Sequence, residues 1–532
     1  MAGDTELRGL TIALRQELSV GLEEVLYDSD RWMRAQSFAE GIGDAVAAGA
    51  DPAGIAAMLD GLPPPRNARE RVMGHLLRAG MLRDGAAPTA AITALIDDLA
   101  DPGSRHSLAQ ADYILRAIVF AVWTNRMRVA DAGAHDLALR RLWHLILEKY
   151  RALMPARPPV PAVERQRDLI VLMVGQFMRG MHQPSLDTLD FVSKLVLRFG
   201  RRVVLVNTAD GPSGVHYPYL GRFTSSVDDG LVAQTQLVID RQPVPFIHLP
   251  PGFTDPEMAA VTRDRILALK PDLVLSFGTL NPVADLCRGL LDVVAIPFGT
   301  YLPMAEPAYV GLPRALTAGD IDALAAAGLE ASDVIPIHYA YELPAAGTPR
   351  SRADLGLPTD AIVTAIIGLR LEQEVTRDFA CALDGLIRAE PRLFFLFVGR
   401  MGDHAALCAG LPHLAARSRV HGYDPDVLSV LPACDLYLNP PRGGGGASAA
   451  YALAKGVPAH TLGFGDVANV VGPGFHLVGL ADFADAARHF ADDPAHRADR
   501  QAKARARFAE ISSRQAMLRQ ILDGVKAMRA RG

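Results

Sequence analysis

Three textures of apolar and polar positions succeed one another along the chain. From residue 1 to about 150, apolar residues recur at helical spacing in stretches such as GIAAMLDGLPPP and APTAAITALIDDLADPGS, broken by short Gly, Pro and Asp clusters. Alanine, leucine and arginine dominate and strand-like alternation is hard to find, so the pattern predicts an all-helical domain over 1–153. Trp123, Asn125 and Trp143 read as residues that pack or decorate those helices. The segment MPARPPVPAVE, residues 154–164, then breaks the rhythm with four prolines and reads as a linker.

From residue 165 the period changes. Short continuous apolar runs alternate with helical stretches: DLIVLMV, a helix near 185–198, RRVVLVN, PFIHL, a helix near 256–269, DLVLSFG, a helix near 282–290, VVAIPFG and VIPIHY. A turn-rich stretch leads into a second series with AIVTAIIG, a helix near 374–389, LFFLFVG, a helix near 403–411, a strand around Val420, a helix near 425–432, DLYL, a helix from Ala447, PAHTL and HLVGL. Strands that are apolar on both faces and followed by helices predict mainly parallel sheets covered on both sides. The chain therefore reads as α/β, with two Rossmann-like domains at 165–345 and 346–532 facing a cleft, preceded by the all-helical domain. Open parallel sheets bind ligands beyond the carboxyl ends of their strands, which makes the loops after residues 174, 207, 278, 368, 399 and 438 the candidates.

Composition narrows the partners. With 54 Lys plus Arg against 59 Asp plus Glu the formal charge is −5, so no general attraction to nucleic acid follows. Cys287, Cys381, Cys408 and Cys434 are scattered without a CxxC pair and read as core residues in a reducing compartment, without a metal site. MAGDTELRGL lacks the basic-then-apolar pattern of a signal peptide, and no long uncharged apolar run follows, so a cytoplasmic protein with no transmembrane segment is expected.

The most chemically informative stretch is LNPPRGGGGASAAYALAKGVPAHTL, residues 438–462. A short strand runs into Asn439, two prolines, Arg442 and Gly443, Gly444, Gly445 and Gly446, and a helix follows. Glycines let backbone N–H groups approach a ligand, and a helix N-terminus offers unpaired donors and a positive dipole to phosphate. Arg442 can add a charged fork and Ser448 a hydroxyl, although Ser448 can equally satisfy a backbone group. A flexible surface loop is the competing reading. No G-x-S-x-G elbow and no Walker lysine are present, and the dinucleotide fingerprint is missing, which disfavours a serine hydrolase, a P-loop ATPase and an NAD-dependent oxidoreductase.

The order of VTAIIGLRL, PRLFFLFVG, RVHGYDPDVLSVLPACDLYLNPP and the glycine loop entering ALAKGVPAHTL resembles the donor half of GT-B glycosyltransferases of families 4 and 41, including bacterial protein glycosyltransferases with a helical N-terminal domain. Ala454, Gly456 and Pro458 match the A-x-G-x-P turn of that group. The resemblance covers roughly residues 165–530 and implies transfer of a hexosyl or N-acetylhexosaminyl unit from a nucleotide diphosphate sugar, most simply a UDP-sugar, to a protein or glycan acceptor. It implies no tightly bound cofactor. Arg370 takes the place of the phosphate-facing arginine, with an ion pair to Glu372 or Glu374 as its alternative; Gly422 and Tyr423 lie where the base packs. The chain departs from both families at the glycine loop. The two family 4 glutamates fall on Gly443 and Tyr451, and the family 41 ribose-binding aspartate also falls on Tyr451, which can contact a sugar oxygen or simply pack.

The acceptor base is expected from the first α/β unit. His182 follows its first strand, and Asp210 and His216 follow its second; each histidine can act on an acceptor or hold its loop. Gly278, Thr279 and Asn281 are softer candidates for sugar contacts or helix capping. Two alternatives are a GT-B scaffold without turnover and a sugar-nucleotide epimerase. If His216 is the base, His216→Ala at saturating donor cuts turnover strongly; normal turnover in that variant removes it from the reaction.

Overall fold

The computed structural model describes every residue except 1, 20–21, 23–28, 48–49, 125, 180–181, 210–216, 218, 221–227, 251–254 and 532. It divides into two compact units. The first comprises Met1–Phe298, Leu302–Pro336 and Ile521–Gly532, and the second Gly299–Tyr301 and Ile337–Gln520.

The first unit begins with helices at Ala2–Leu18, Ser29–Ala47, Ala53–Asp60, Ala68–Met81, Ala87–Ala100, Leu108–Trp123 and Ala132–Leu153. Their ends follow local chemistry: Ser107 and Gln110 form a reciprocal capping box, and the Asp131 side chain accepts from Ala134 N–H. An eight-stranded sheet follows, made of β1 (Gln166–Val174), β2 (Arg202–Asn207), β3 (Gln236–Ile239), β4 (Gln242–His248), β5 (Pro271–Phe277), β6 (Val293–Ile296), β7 (Tyr309–Leu312) and β8 (Val334–Pro336). Its spatial order is β3-β4-β2-β1-β5-β6-β7-β8, parallel throughout except for the β3–β4 hairpin. That hairpin turns through Asp240 and Arg241, both at positive φ (47° and 65°), without the glycine that usually marks such a turn.

Helices and sheet share one apolar core, with Leu76, Ile118 and Leu142 in the same cluster as Val171, Val206 and Val274. The segments after β5 and β6 are fastened to the helices by polar anchors. Arg116 Nη2 donates to Leu280 O at 2.8 Å, Arg140 Nη1 and Nη2 to Pro303 O and Leu302 O at 3.0 and 3.1 Å, and Trp143 Nε1 to Asp285 Oδ2 at 2.9 Å. Buried Glu306 is held by His144 Nδ1 at 2.6 Å and Arg151 Nη2 at 3.0 Å. Trp143 is therefore a packed residue with a polar anchor, Trp123 is 48% exposed, and Asn125 lies outside the described residues. The proline-rich stretch is tied down as well: Val160 N–H donates to Leu290 O at 3.0 Å, and Arg263 Nη2 to Pro155 O at 2.9 Å.

The second unit carries β9 (Ile362–Gly368), β10 (Leu393–Gly399), β11 (Ser418–Gly422), β12 (Leu436–Leu438), β13 (Ala459–Leu462) and β14 (His476–Leu477), all parallel, in the order β11-β10-β9-β12-β13-β14. This is the doubly wound order 3-2-1-4-5-6. β9 and β10 finish side by side at Gly368 and Gly399, where φ is 144° at Gly399 and a Cβ would run into the Gly368 carbonyl. Three cysteines, Cys287, Cys408 and Cys434, are buried, whereas Cys381 is exposed on the outer face of the Arg377–Ala389 helix and corrects its reading as a core residue. Among the described residues no helix is long and apolar enough to cross a membrane.

Asp285 is fully enclosed, and burial pushes its carboxyl up to about 8, with the Trp143 bond opposing and the nearby Glu306 charge reinforcing the shift. Its folded pKa lies above the ordinary value of 3.8, so this group's contribution is complete below about pH 4 and is lost as pH rises through about 8. Asp285→Asn keeps an acceptor for Trp143 and removes the ionisation. Urea unfolding from pH 5 to 8 should then show a smaller fall in stability than the parent chain; parallel curves would show that Asp285 is charged in the folded state.

Candidate functional site

β9 and β12 are neighbours whose following connections leave on opposite sides, so the carboxyl end of this pair is the switch point of the second sheet. Two loops emerge there. The one after β9 carries Arg370 into the short Leu371–Glu374 helix, and the one after β12 runs through Asn439 and Arg442 into the four glycines.

Arg442 knits these loops together. Its side chain is only 6% exposed. Nε donates to Asn439 Oδ1 at 2.9 Å, Nη2 to Ile367 O at 2.7 Å and to Tyr437 Oη at 3.1 Å, and Nη1 forms an ion pair with Glu374. Asn439 is itself buried, and its Oδ1 also accepts from the Tyr437 hydroxyl at 3.2 Å. The other Glu374 oxygen accepts from Arg370 Nη2 at 3.0 Å. One carboxylate thus bridges two guanidinium groups, one buried and one at the rim. The ion pair of Arg370 with Glu374, one of the two partners the sequence offered for it, is present, whereas Tyr437 was not singled out and the tie of Glu374 to Arg442 was not foreseen; Glu374 precedes Arg442 by 68 residues, and no local pattern connects them.

The glycines close over this cluster. Gly445 sits at φ 106°, and a Cβ there would lie 2.6 Å from Arg442 Nη2. A Cβ on Gly446 would meet the Tyr341 hydroxyl. Gly443 O accepts from Asp466 N–H at 2.8 Å, which pins the outer side of the loop. The Gly446–Ala454 helix starts at Gly445 with no side chain capping it, so its first-turn N–H groups face the same edge as Arg370. Ser448 is partly exposed in that first turn, and Tyr451, one turn on, is buried.

Gly422 ends β11 at φ 86°, two strands from β9 and hence about 10 Å along the same edge. Tyr423 beside it is 47% exposed. His421 Nε2 contacts Asp424 Oδ2 at 2.8 Å, Arg350 pairs with the same oxygen at 2.8 Å, and Asp424 Oδ1 accepts from Asp426 N–H at 2.9 Å. Asp424 therefore organises its own turn, and its neighbours hold its carboxyl below the ordinary value despite burial.

In the first unit, His182 occupies the N-cap position of the Gln183–Leu197 helix, with Nδ1 2.7 Å from Ser185 Oγ. Burial lowers its pKa, which favours the neutral ring. His216 and Asp210 lie outside the described residues. Asn281 caps its helix by accepting from Ala284 N–H at 3.1 Å, and Thr279 Oγ1 donates to Met304 O at 3.1 Å; Gly278 adopts φ 108°. A residue unnoticed in the sequence, His248 at the end of β4, has Nδ1 2.8 Å from Asn207 Nδ2. Among the described residues no group of three or more His, Cys, Asp or Glu is arranged to hold a metal ion.

No family model matches the sequence, and no curated protein matches it. Solved structures do match. A Thermobaculum terrenum O-GlcNAc transferase variant superposes over 99% of this chain and 98% of its own with a TM-score of 0.56 at 14% identity. A glycosyltransferase from Rickettsia africae covers 67% of this chain and 97% of its own with a TM-score of 0.50, also at 14% identity. The fold is GT-B. In GT-B terms the first sheet and the switch-point sheet are the two Rossmann-like parts, and the helices ahead of them are included in the Thermobaculum match, which spans nearly the whole chain.

Arg442→Met removes a buried cation while leaving Asn439, Tyr437, Glu374 and Ile367 O facing its place. Urea unfolding should show a loss of about 3 kcal/mol. A loss below about 0.5 kcal/mol, the range of an ordinary surface substitution, would show that the loop holds its shape without the guanidinium.

Proposed function

We propose that this GT-B chain is a glycosyltransferase whose second unit holds a nucleotide diphosphate sugar, most simply a UDP-sugar, at the switch point. The observation that carries this reading is the uncapped N-terminus of the Gly446–Ala454 helix, opening at the carboxyl edge of the sheet beside Arg370. Departure of a nucleoside diphosphate leaves negative charge on its terminal phosphate, and fixed donors aimed at that charge are the main means of stabilising it. The first-turn N–H groups, the Ser448 hydroxyl and Arg370 supply such donors; the diphosphate takes over the share of Arg370 now held by Glu374. Arg442 contributes by shaping the loop, since its own donors are already engaged. Gly422 and Tyr423 extend the same edge toward the nucleotide base.

The transferred group is a hexosyl or N-acetylhexosaminyl unit, and the O-GlcNAc transferase name of the Thermobaculum neighbour supports the second. A protein is the acceptor we favour, with the N-terminal helices as its recognition surface and His182, His216 or Asp210 as the candidate acceptor-side groups, in a cytoplasmic setting. One observation favours a scaffold without turnover instead: Gly443 and buried Tyr451 stand where the resembling families place carboxylates.

Calorimetry with UDP separates the readings in two steps. The parent chain should bind, and Arg370→Ala should bind roughly tenfold more weakly, as loss of one charge-assisted contact predicts; equal binding by the two would overturn the phosphate role of Arg370. Hydrolysis of a UDP-sugar panel then tests turnover. Tight UDP binding with no hydrolysis and no transfer to protein would favour the scaffold.

A further inference from the structure

The second unit contains a cavity of about 410 Å³ whose lining includes no residue of the glycine loop. Its walls come from the end of the Gly465–Val471 helix, the Gly472–His476 segment leading into β14, and one face of the Pro494–Glu510 helix. The Gly465–Val471 helix leaves the carboxyl end of β13 and must return before β14 can run parallel to it. A Cβ on Gly446 would lie 3.3 Å from Val470 Cγ2, so the helix wall of the cavity backs onto the start of the Gly446–Ala454 helix.

Its chemistry is cationic in a chain whose net charge is −5. Arg500, Lys503 and Arg507 recur at helical spacing and all line the cavity, against the single carboxylate of Glu510. Arg507 is committed: it donates to Val470 O and Asn469 O at 2.8 and 2.7 Å and to Glu510 at 2.7 Å. Arg500 is not. Its guanidinium lies 4.2 Å from the centre of the Phe475 ring, and Nη2 donates to Gly474 O at 2.7 Å. A guanidinium has five N–H donors, so most of this one has no protein acceptor among the described residues. Partial burial lowers its pKa, which marks a cation short of counter-charge. Lys503 stands at the mouth, paired with exposed Asp499 at 2.8 Å. Ala468, Val471, Pro473 and Phe475 supply an apolar part of the remaining wall, beside Asn469 and His476.

We propose that this cavity is a second ligand site, taking a small phosphate monoester whose phosphate is held by Arg500 and Lys503 and whose body rests against Phe475, Pro473 and Val471. The volume falls in the range of small-molecule sites and suits a ligand of sugar-phosphate size. A planar fork stacked on an aromatic ring is preorganised for a phosphate. The site uses none of the residues assigned to nucleotide-sugar binding, so it stands or falls independently of that assignment.

Calorimetry with inorganic phosphate and with glucose 6-phosphate, on the full chain, tests it. Glucose 6-phosphate should bind more tightly than inorganic phosphate, Arg500→Gln should weaken it roughly tenfold, and exposed Lys503→Gln, which has little fold to disturb, several-fold. Arg370→Ala should leave it unchanged. No binding by the parent chain, equal affinity for the two probes, indifference to Lys503→Gln and Arg500→Gln, or loss in Arg370→Ala would each overturn the proposal, the last by locating the phosphate at the glycine loop.

Discussion

Where β9 and β12 part, a main-chain carbonyl, an amide oxygen, a phenol oxygen and a carboxylate all point into one small volume, and an apolar interior leaves such groups costly unless a donor reaches each. The planar fork of Arg442 satisfies all four at once. Lysine could not, because its three donors spread from a single nitrogen. The path of the glycine loop follows from that geometry. Gly445 must lack a Cβ to pass over the guanidinium, and the helix beyond it begins without a side-chain cap because the chain enters from the left-handed region. A residue type that invites a ligand-binding reading in the sequence is here an interior strut, and Arg370 at the rim is the more exposed of the two cations that share Glu374.

The first unit solves a related problem differently. Its helices and sheet meet through one apolar core, yet the loops leaving β5 and β6 carry carbonyls and acids that would be stranded there. Arg116, Arg140, Trp143 and Arg151 reach out from the helices to meet them. Such pairs define register between helix and sheet more than they add net stability, since desolvation offsets most of the attraction.

The parallel strands were legible because burial on both faces makes them continuous apolar runs: LFFLFVG gives β10 at Leu393–Gly399 as read, and the helix at Pro256–Leu269 also matches its reading. β3 was not legible, since its turn uses Asp240 and Arg241 in place of a glycine and its Val238 faces solvent. β7 is four residues long, too short to stand out by period. The helix read over 282–290 stops at Asp285, where the chain bends so that this aspartate meets Trp143. At the switch point, position and the local pair of Arg370 with Glu374 were legible and the long-range partnership was not: the place of Arg370 and the glycines at strand ends follows from pattern, whereas the contact of Arg442 with Glu374 depends on which strands become neighbours.

Three of the four outermost strands of the two sheets are short, and the fourth, β11, has five residues. On the first sheet β3 has four residues and runs against its neighbour, and β8 has three and ends on Pro336; on the second, β14 has two. An edge strand is a row of unpaired amide and carbonyl groups that a second molecule can extend, and fibrous association begins by such extension. Brief edges, one reversed and one closed by a residue without an N–H, offer little template for it. A chain with so many apolar strands therefore keeps its most adhesive segments in the middle of each sheet, where other copies cannot reach them.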